Sequence, residues 1–139
     1  MRIGQLAAIC ECPVETIRYY EKIGLLPPPA RLANGYRSYD EDHRKWLLFI
    51  LRSRALGFNQ QEVRRLTDVA HQQTPACAAV HDLLQQHVED VRKRVHELQR
   101  MEKALLRLKH KCQNGMLHDC PVIDELMEAD AIASLIKVN

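Results

Sequence analysis

The chain has 139 residues, of which 46% are hydrophobic, and a net charge of +2 at neutral pH. This length suits one compact domain, or a small domain joined to an extended helix. No run reaches the roughly 18 apolar residues that a membrane span requires, and the first residues lack the apolar stretch of a signal peptide, so we expect a cytoplasmic protein without membrane contact.

The first residues predict two short helices joined by a tight turn. Apolar residues recur over 3–9, Glu11-Cys12-Pro13 interrupts them, and a second helix follows over 14–21 with Pro13 in its first turn. This is a helix-turn-helix pattern. Residues 1–75 carry 11 Lys and Arg against 8 Asp and Glu, so this half is the better candidate for a phosphate-binding surface, although an ordinary solvated face fits the charge equally well.

A hairpin and a second pair of helices are predicted next. Asn34-Gly35 is a strong hairpin signal and indicates a small β-wing ending near Tyr39. Asp40 or Asp42 is expected to cap the following helix, and Gly57 to end it. Asn59, with Glu62 three residues later, approximates a capping box and predicts a helix over 60–70.

A long helix is predicted over 76–111, a stretch without Gly or Pro. Its apolar residues recur at steps of three and four, as in a heptad seam. The seam consists of Leu84, Val88, Val91, Val95, Leu98, Met101, Leu105 and Leu108. A helix of this length cannot bury a narrow seam against itself, so we expect an antiparallel coiled coil in a homodimer, with packing on its own N-terminal domain as the alternative.

Several side chains of the first half are suited to DNA contacts. Arg18 lies on the second helix, where Arg reads guanine edges or clamps phosphates. Tyr19 and Tyr20 follow it and differ by about 100° around the helix, so only one of the two is expected to face outward. The wing adds three further candidates, Arg31, Tyr36 and Arg37.

Three stretches of the sequence carry a family resemblance: residues 12–21 (CPVETIRYYE), 24–27 (GLLP) and 35–39 (GYRSY). Together they closely resemble the N-terminal domain of the MerR family, and the likeness extends over nearly the whole chain. The resemblance implies a mainly α fold with a winged helix-turn-helix over 1–75, a dimerisation helix over 76–111, and a metal-binding loop with a short helix over 112–139. It also implies promoter DNA as a partner, which the ligand-bound dimer bends and untwists so that RNA polymerase can engage it. RNA polymerase is thus an indirect partner of the protein.

Five cysteines cannot all pair within one chain, and a cytosolic protein keeps its thiols reduced. Cys77 and Cys112 are separated by 35 residues, which is about 50 Å along one helix. In an antiparallel dimer, Cys77 reaches Cys112 or the neighbourhood of Cys120 of the partner subunit, because two registers, one heptad apart, both align apolar seam residues. We therefore predict a site made of Cys77, Cys112 and Cys120, shared between subunits.

Three thiolates form a soft site and balance a divalent ion better than a monovalent one. The resemblance agrees, because MerR-like sensors of copper-group ions typically carry Ser at the position of Cys77. Cadmium, lead or zinc is therefore expected, with mercury, copper-group ions or a thiol redox response as alternatives. His118 is a candidate fourth ligand or an exposed loop residue. Cys10 is expected to pack in the core, whereas for Cys12 both packing and metal binding remain alternatives. No catalytic residues are predicted.

Overall fold

The computed structural model describes residues 1–72, 77–112 and 120–128 of the chain. These residues form two compact units that divide between Leu83 and Leu84. Six helices and one two-stranded sheet make up the described part, which confirms a mainly helical fold. None of the described helices is long and apolar enough to cross a membrane.

Two short helices open the first unit, α1 (Ile3–Cys10) and α2 (Val14–Lys22). Glu11 adopts a left-handed backbone conformation with φ of 53°, which turns the chain between them. Pro13 is the N-cap of α2 rather than a residue of its first turn. Proline suits the N-cap because its φ is fixed and because it lacks a backbone N–H. The N–H groups at the start of a helix have no partner within the helix, so none is lost here.

The wing is a minimal antiparallel sheet of β1 (Ala30–Arg31) and β2 (Arg37–Ser38). Gly35, with φ of 83°, takes the left-handed position of the connecting loop. The Asn34 side-chain oxygen accepts a hydrogen bond from the Tyr36 N–H at 3.1 Å. The predicted hairpin is therefore present, and local turn chemistry explains it.

The helices α3 (Glu41–Ala55) and α4 (Gln60–Ala70) complete the first unit. Asp40 caps α3, and Asn59 with Glu62 forms the predicted capping box of α4. Both α1 and α4 pack against α3. The shared core consists of Leu6, Ala7, Cys10, Ile17, Tyr20, Leu25, Leu26, Tyr39, Leu47, Ile50, Phe58 and Val63.

The helix α5 (Cys77–Lys111) has 35 residues, as the absence of Gly and Pro predicted. Seven of the eight seam residues are exposed in the single chain, where Leu98 keeps 61% and Leu105 65% of their accessible surface, whereas Leu108 is buried and keeps 8%. The last described helix, α6 (Pro121–Glu128), lies within the C-terminal stretch predicted to be helical. Apolar side chains left open on one helix face in this way require a partner surface.

Candidate DNA-binding surface and thiol site

A basic cleft of about 410 Å³ lies between α2 and the wing. Arg18 and Lys22 line it from α2, while Arg31 and Arg37 line it from the wing. Glu21 is the one acidic residue among the lining side chains, which also include Pro28 and Pro29. A cleft with four cations and one carboxylate favours an anionic ligand such as a phosphate backbone.

The wing itself contains an unfavourable pairing that an anion would relieve. Arg31 and Arg37 stand directly opposite each other in the register of the two strands, and both are exposed. Like charges at opposite positions of a sheet destabilise it. A phosphate between or beside these guanidinium groups would turn the repulsion into attraction.

Lys22 is a residue of this cleft that the sequence analysis missed. It lies four residues after Arg18, so both side chains emerge from the same face of α2. The four-residue spacing of the two cations can be read from the sequence, and it could have predicted Lys22 as a further cleft residue. The two cations widen the positive surface along the axis of the helix.

Glu21 joins α2 to the wing. Its carboxylate accepts a hydrogen bond from the buried Tyr39 hydroxyl and lies 3.6 Å from Nη1 of Arg37. Burial, followed by the Glu21 contact, raises the pKa of Tyr39 to about 12, so the phenol stays neutral and donates. Glu21 thereby holds the wing against α2.

The tyrosine pair divides between core and surface. Tyr20 keeps 7% of its accessible surface and belongs to the core, whereas Tyr19 keeps 44%. The Tyr19 hydroxyl accepts a hydrogen bond from Nε2 of Gln60 on α4 at 2.7 Å. This contact leaves the hydroxyl hydrogen free to be donated outward, so Tyr19 is the member of the pair suited to a phosphate.

Tyr36 at the wing tip has a cationic neighbour. The guanidinium carbon of Arg2 lies 4.8 Å from the centre of the Tyr36 ring, within the range of a cation–π contact. Both side chains are exposed. Arg2 was another omission of the sequence analysis, and no local pattern could have revealed a contact over 34 residues.

Cys120 stands immediately before α6, where the N–H groups of the first turn have no partners inside the helix. Hydrogen bonds from the N–H groups of Ile123 and Val122 lower the pKa of the Cys120 thiol, and a hydrogen bond with Cys112 lowers it further. Burial and the charge of Asp124 act in the opposite direction. These interactions favour the Cys120 thiolate, which is the form of the thiol that binds metal ions.

A carboxylate fixes the approach of α6 to α5. Glu125 accepts a hydrogen bond from Nη2 of Arg107 at 2.8 Å through one oxygen and from Nζ of Lys111 at 2.8 Å through the other. These bonds lower the pKa of Glu125, the one with Lys111 most. Cys112 directly follows Lys111, so the ion pairs lie beside the thiols.

The remaining candidate ligands are separate or outside the described residues. Cys77 is the exposed first residue of α5, and His118 falls in the stretch 113–119, outside the described part. Burial raises the pKa of both Cys10 and Cys12, which disfavours the thiolate and suits packing. Among the described residues of one chain, no three potential ligands converge on a common point.

The helix-turn-helix, the wing and the basic cleft define a DNA-binding regulator rather than an enzyme. The chain matches the family of MerR HTH regulatory proteins over residues 1–69 and the MerR DNA-binding family over residues 44–108. It belongs to the MerR family, whose regulators are DNA-binding dimers.

Three relatives are similar over almost the whole chain. The mercuric resistance operon regulatory protein of Bacillus cereus is 38% identical over 128 residues, covering 91% of this chain and 97% of the relative. The regulator PbrR691 from Ralstonia metallidurans CH34, solved with lead(II), has 37% identity and a TM-score of 0.80 over 91% of this chain and 98% of its own. MerR of Bacillus megaterium MB1, solved with mercury(II), has 35% identity and a TM-score of 0.71 over 91% and 99%.

Proposed function

We propose that this metal-responsive regulator binds a divalent thiophilic ion (cadmium, lead or zinc) and then activates transcription of metal-resistance or efflux genes. The observation that carries the proposal is the thiol pair of Cys112 and Cys120, with the Cys120 thiolate stabilised at the start of α6. Soft thiolates select ions of this kind over magnesium and calcium. The related proteins solved with lead(II) and mercury(II) support the same class of ligand.

The third ligand of the proposed site is Cys77 of the partner subunit. Cys77 begins α5 and Cys112 follows its last residue, so the length of the helix separates them within one chain. An antiparallel pairing of two α5 helices through the exposed seam would bring the start of one to the end of the other. His118 remains a candidate fourth ligand, and three thiolates without it already neutralise a divalent charge.

The DNA contacts are proposed for the exposed side chains that line or flank the basic cleft: Arg18, Tyr19, Arg31, Tyr36 and Arg37. Tyr20, which was also a sequence candidate, packs in the core. In this proposal residues 1–75 bind DNA, 76–111 dimerise and 112–139 sense the ion. Because the related regulator is bacterial, and bacterial promoters lie in the cytoplasm, the proposed location is the cytoplasm.

Switching follows from linkage between the two sites. An ion that binds one conformation of the dimer better than another shifts the population toward it. If the favoured dimer bends and untwists its promoter, RNA polymerase gains access through DNA shape. Polymerase is then affected without needing a direct contact with the metal site.

The test is transcription from the protein's own promoter with cadmium, lead, zinc and mercury salts under reducing, anaerobic conditions. We expect activation by at least one divalent ion, and loss of that activation in Cys112→Ser because a two-thiol site binds the ion much more weakly. Cys12→Ser is the matched control, since it removes a thiol of raised pKa outside the site, and it should respond like the wild type.

Full metal activation of Cys112→Ser would contradict the proposal. Activation by peroxide without metal would favour a disulfide between Cys112 and Cys120, and hence a thiol redox regulator, instead. A response confined to copper-group ions would retain the sensor and reject the divalent assignment.

A further inference from the structure

Cys112 and Cys120 are connected along the chain, and the helices next to them are also connected by ion pairs between α6 and α5. Cys112 follows α5, and Cys120 precedes α6. The relative position of their sulfur atoms therefore depends on how α6 is held against α5. In the described residues, two ion pairs contribute to this attachment.

Glu125 makes this connection with both carboxylate oxygens. Oε1 lies 2.8 Å from Nη2 of Arg107 and Oε2 lies 2.8 Å from Nζ of Lys111. The two cations are four residues apart, so they stand on the same face of α5. The Glu125 side chain keeps 16% of its accessible surface, against 49% and 45% for the cations, and thus is the shielded centre of the group.

A carboxylate held at two points is restricted in position and orientation more than one held at a single point. Glu125 lies five residues after Cys120 on the helix that Cys120 precedes. Fixing Glu125 to α5 consequently fixes the start of α6, next to Cys120.

We propose that Glu125 is a positioning residue for the thiol site. Its ion pairs with Arg107 and Lys111 clamp α6 to α5 and so set the position of Cys120 relative to Cys112. The inference rests on the proposed metal binding by Cys112 and Cys120. Glu125 itself is not a ligand. Its role is to hold the thiols at the spacing that an ion needs, as outer residues do in other metal sites.

Positioning and simple electrostatics predict effects of opposite sign. Three thiolates around a divalent ion carry excess negative charge, so removing a nearby carboxylate should strengthen binding on charge grounds alone. Freeing Lys111 beside Cys112 would act in the same direction. A weaker site after removal of the Glu125 charge can therefore be attributed to lost positioning.

The experiment measures the affinity of the full-length dimer for Cd²⁺ by competition with a chromophoric chelator under reducing conditions. For Glu125→Gln we expect about threefold to tenfold weaker binding, because two exposed ion pairs are lost. Asp124→Asn is the matched control: it removes the neighbouring carboxylate but leaves the clamp, and its affinity should be unchanged or higher. Apo-protein binding to promoter DNA should be the same for all three proteins.

The charge-swapped variant Arg107→Glu/Lys111→Gln/Glu125→Arg restores the ion pair between positions 107 and 125 with reversed polarity and removes the cation that would repel the new side chain, so it should recover part of the lost affinity. Glu125→Gln binding Cd²⁺ as well as or better than wild type would overturn the inference, as would a swap no tighter than Glu125→Gln. A wild-type protein that binds no Cd²⁺, Pb²⁺, Zn²⁺ or Hg²⁺ would instead overturn the proposed function.

Discussion

Arg18 is the residue through which the proposed DNA contacts are most directly tested. It lines the basic cleft with Lys22, Arg31 and Arg37. Each cation that neutralises a phosphate releases counterions, so its removal lowers affinity and also the dependence of affinity on salt.

For Arg18→Ala we expect weaker promoter binding and a logarithmic salt slope that is less steep by about 1 for each subunit, or about 2 for the dimer. Fluorescence anisotropy with labelled promoter DNA over a salt series gives both quantities. Arg100→Ala, on an exposed position of α5, is the control and should change neither. An unchanged slope for Arg18→Ala would exclude a phosphate contact, and unchanged affinity would remove Arg18 from the interface.

Among single residues, the chemical types of the DNA-contact candidates were predictable from the sequence, but the contacts that support them were not. Arg18, Arg31 and Arg37 were predicted because Arg is suited to phosphate and base edges, and the structure places all three on one cleft. The contacts from Glu21 to Tyr39 and from Glu125 to Arg107 each span 18 residues. Such pairs depend on how helices pack, which local patterns do not specify.

At the scale of elements, the attachment of the wing to α2 depends on the buried hydroxyl of Tyr39. The side chain keeps 2% of its accessible surface, and its hydroxyl donates to Glu21. Tyr39→Phe should lower the free energy of unfolding by roughly 1.5–3 kcal/mol, the range for a hydrogen bond to a charged group. Urea unfolding measures the change, with exposed Tyr36→Phe as the control.

The same variant predicts a dependence on pH. The pKa of Tyr39 is raised from 10.0 to about 12 in the folded protein. Its contribution to stability is therefore complete below pH 10 and is lost as the pH rises toward 12. The stability difference between wild type and Tyr39→Phe should shrink over this window. A difference that stays constant would show that folding does not raise the pKa of Tyr39.

The boundaries of elements were predictable where local chemistry sets them. Asn59 and Glu62 mark the start of α4 because their side chains satisfy free N–H groups in either direction, and Gly35 marks the wing loop through its positive φ. The α6 helix was less well defined from sequence. Glu125 pairs with Arg107 and Lys111 of α5, and a tertiary contact of this kind is not specified by local periodicity.

At the scale of the whole molecule, the long exposed seam of α5 and the separation of its cysteines lead to the same arrangement. The seam needs a partner helix, and regulators of this family are dimers. If the helices are antiparallel, each dimer contains two metal sites, and each site takes its ligands from both subunits. A single chain then supplies only part of each site, and sensing is a property of the dimer.

A mixed dimer tests whether each metal site is made of ligands from both subunits. One subunit carries Cys77→Ser and its partner carries Cys112→Ser and Cys120→Ser, with distinct affinity tags to isolate the mixed species. The shared-site arrangement predicts one tight Cd²⁺ site per mixed dimer, because Cys77 of one subunit meets both loop thiols of the other, whereas either variant homodimer has none. A mixed dimer that binds Cd²⁺ no better than the two homodimers would contradict the account.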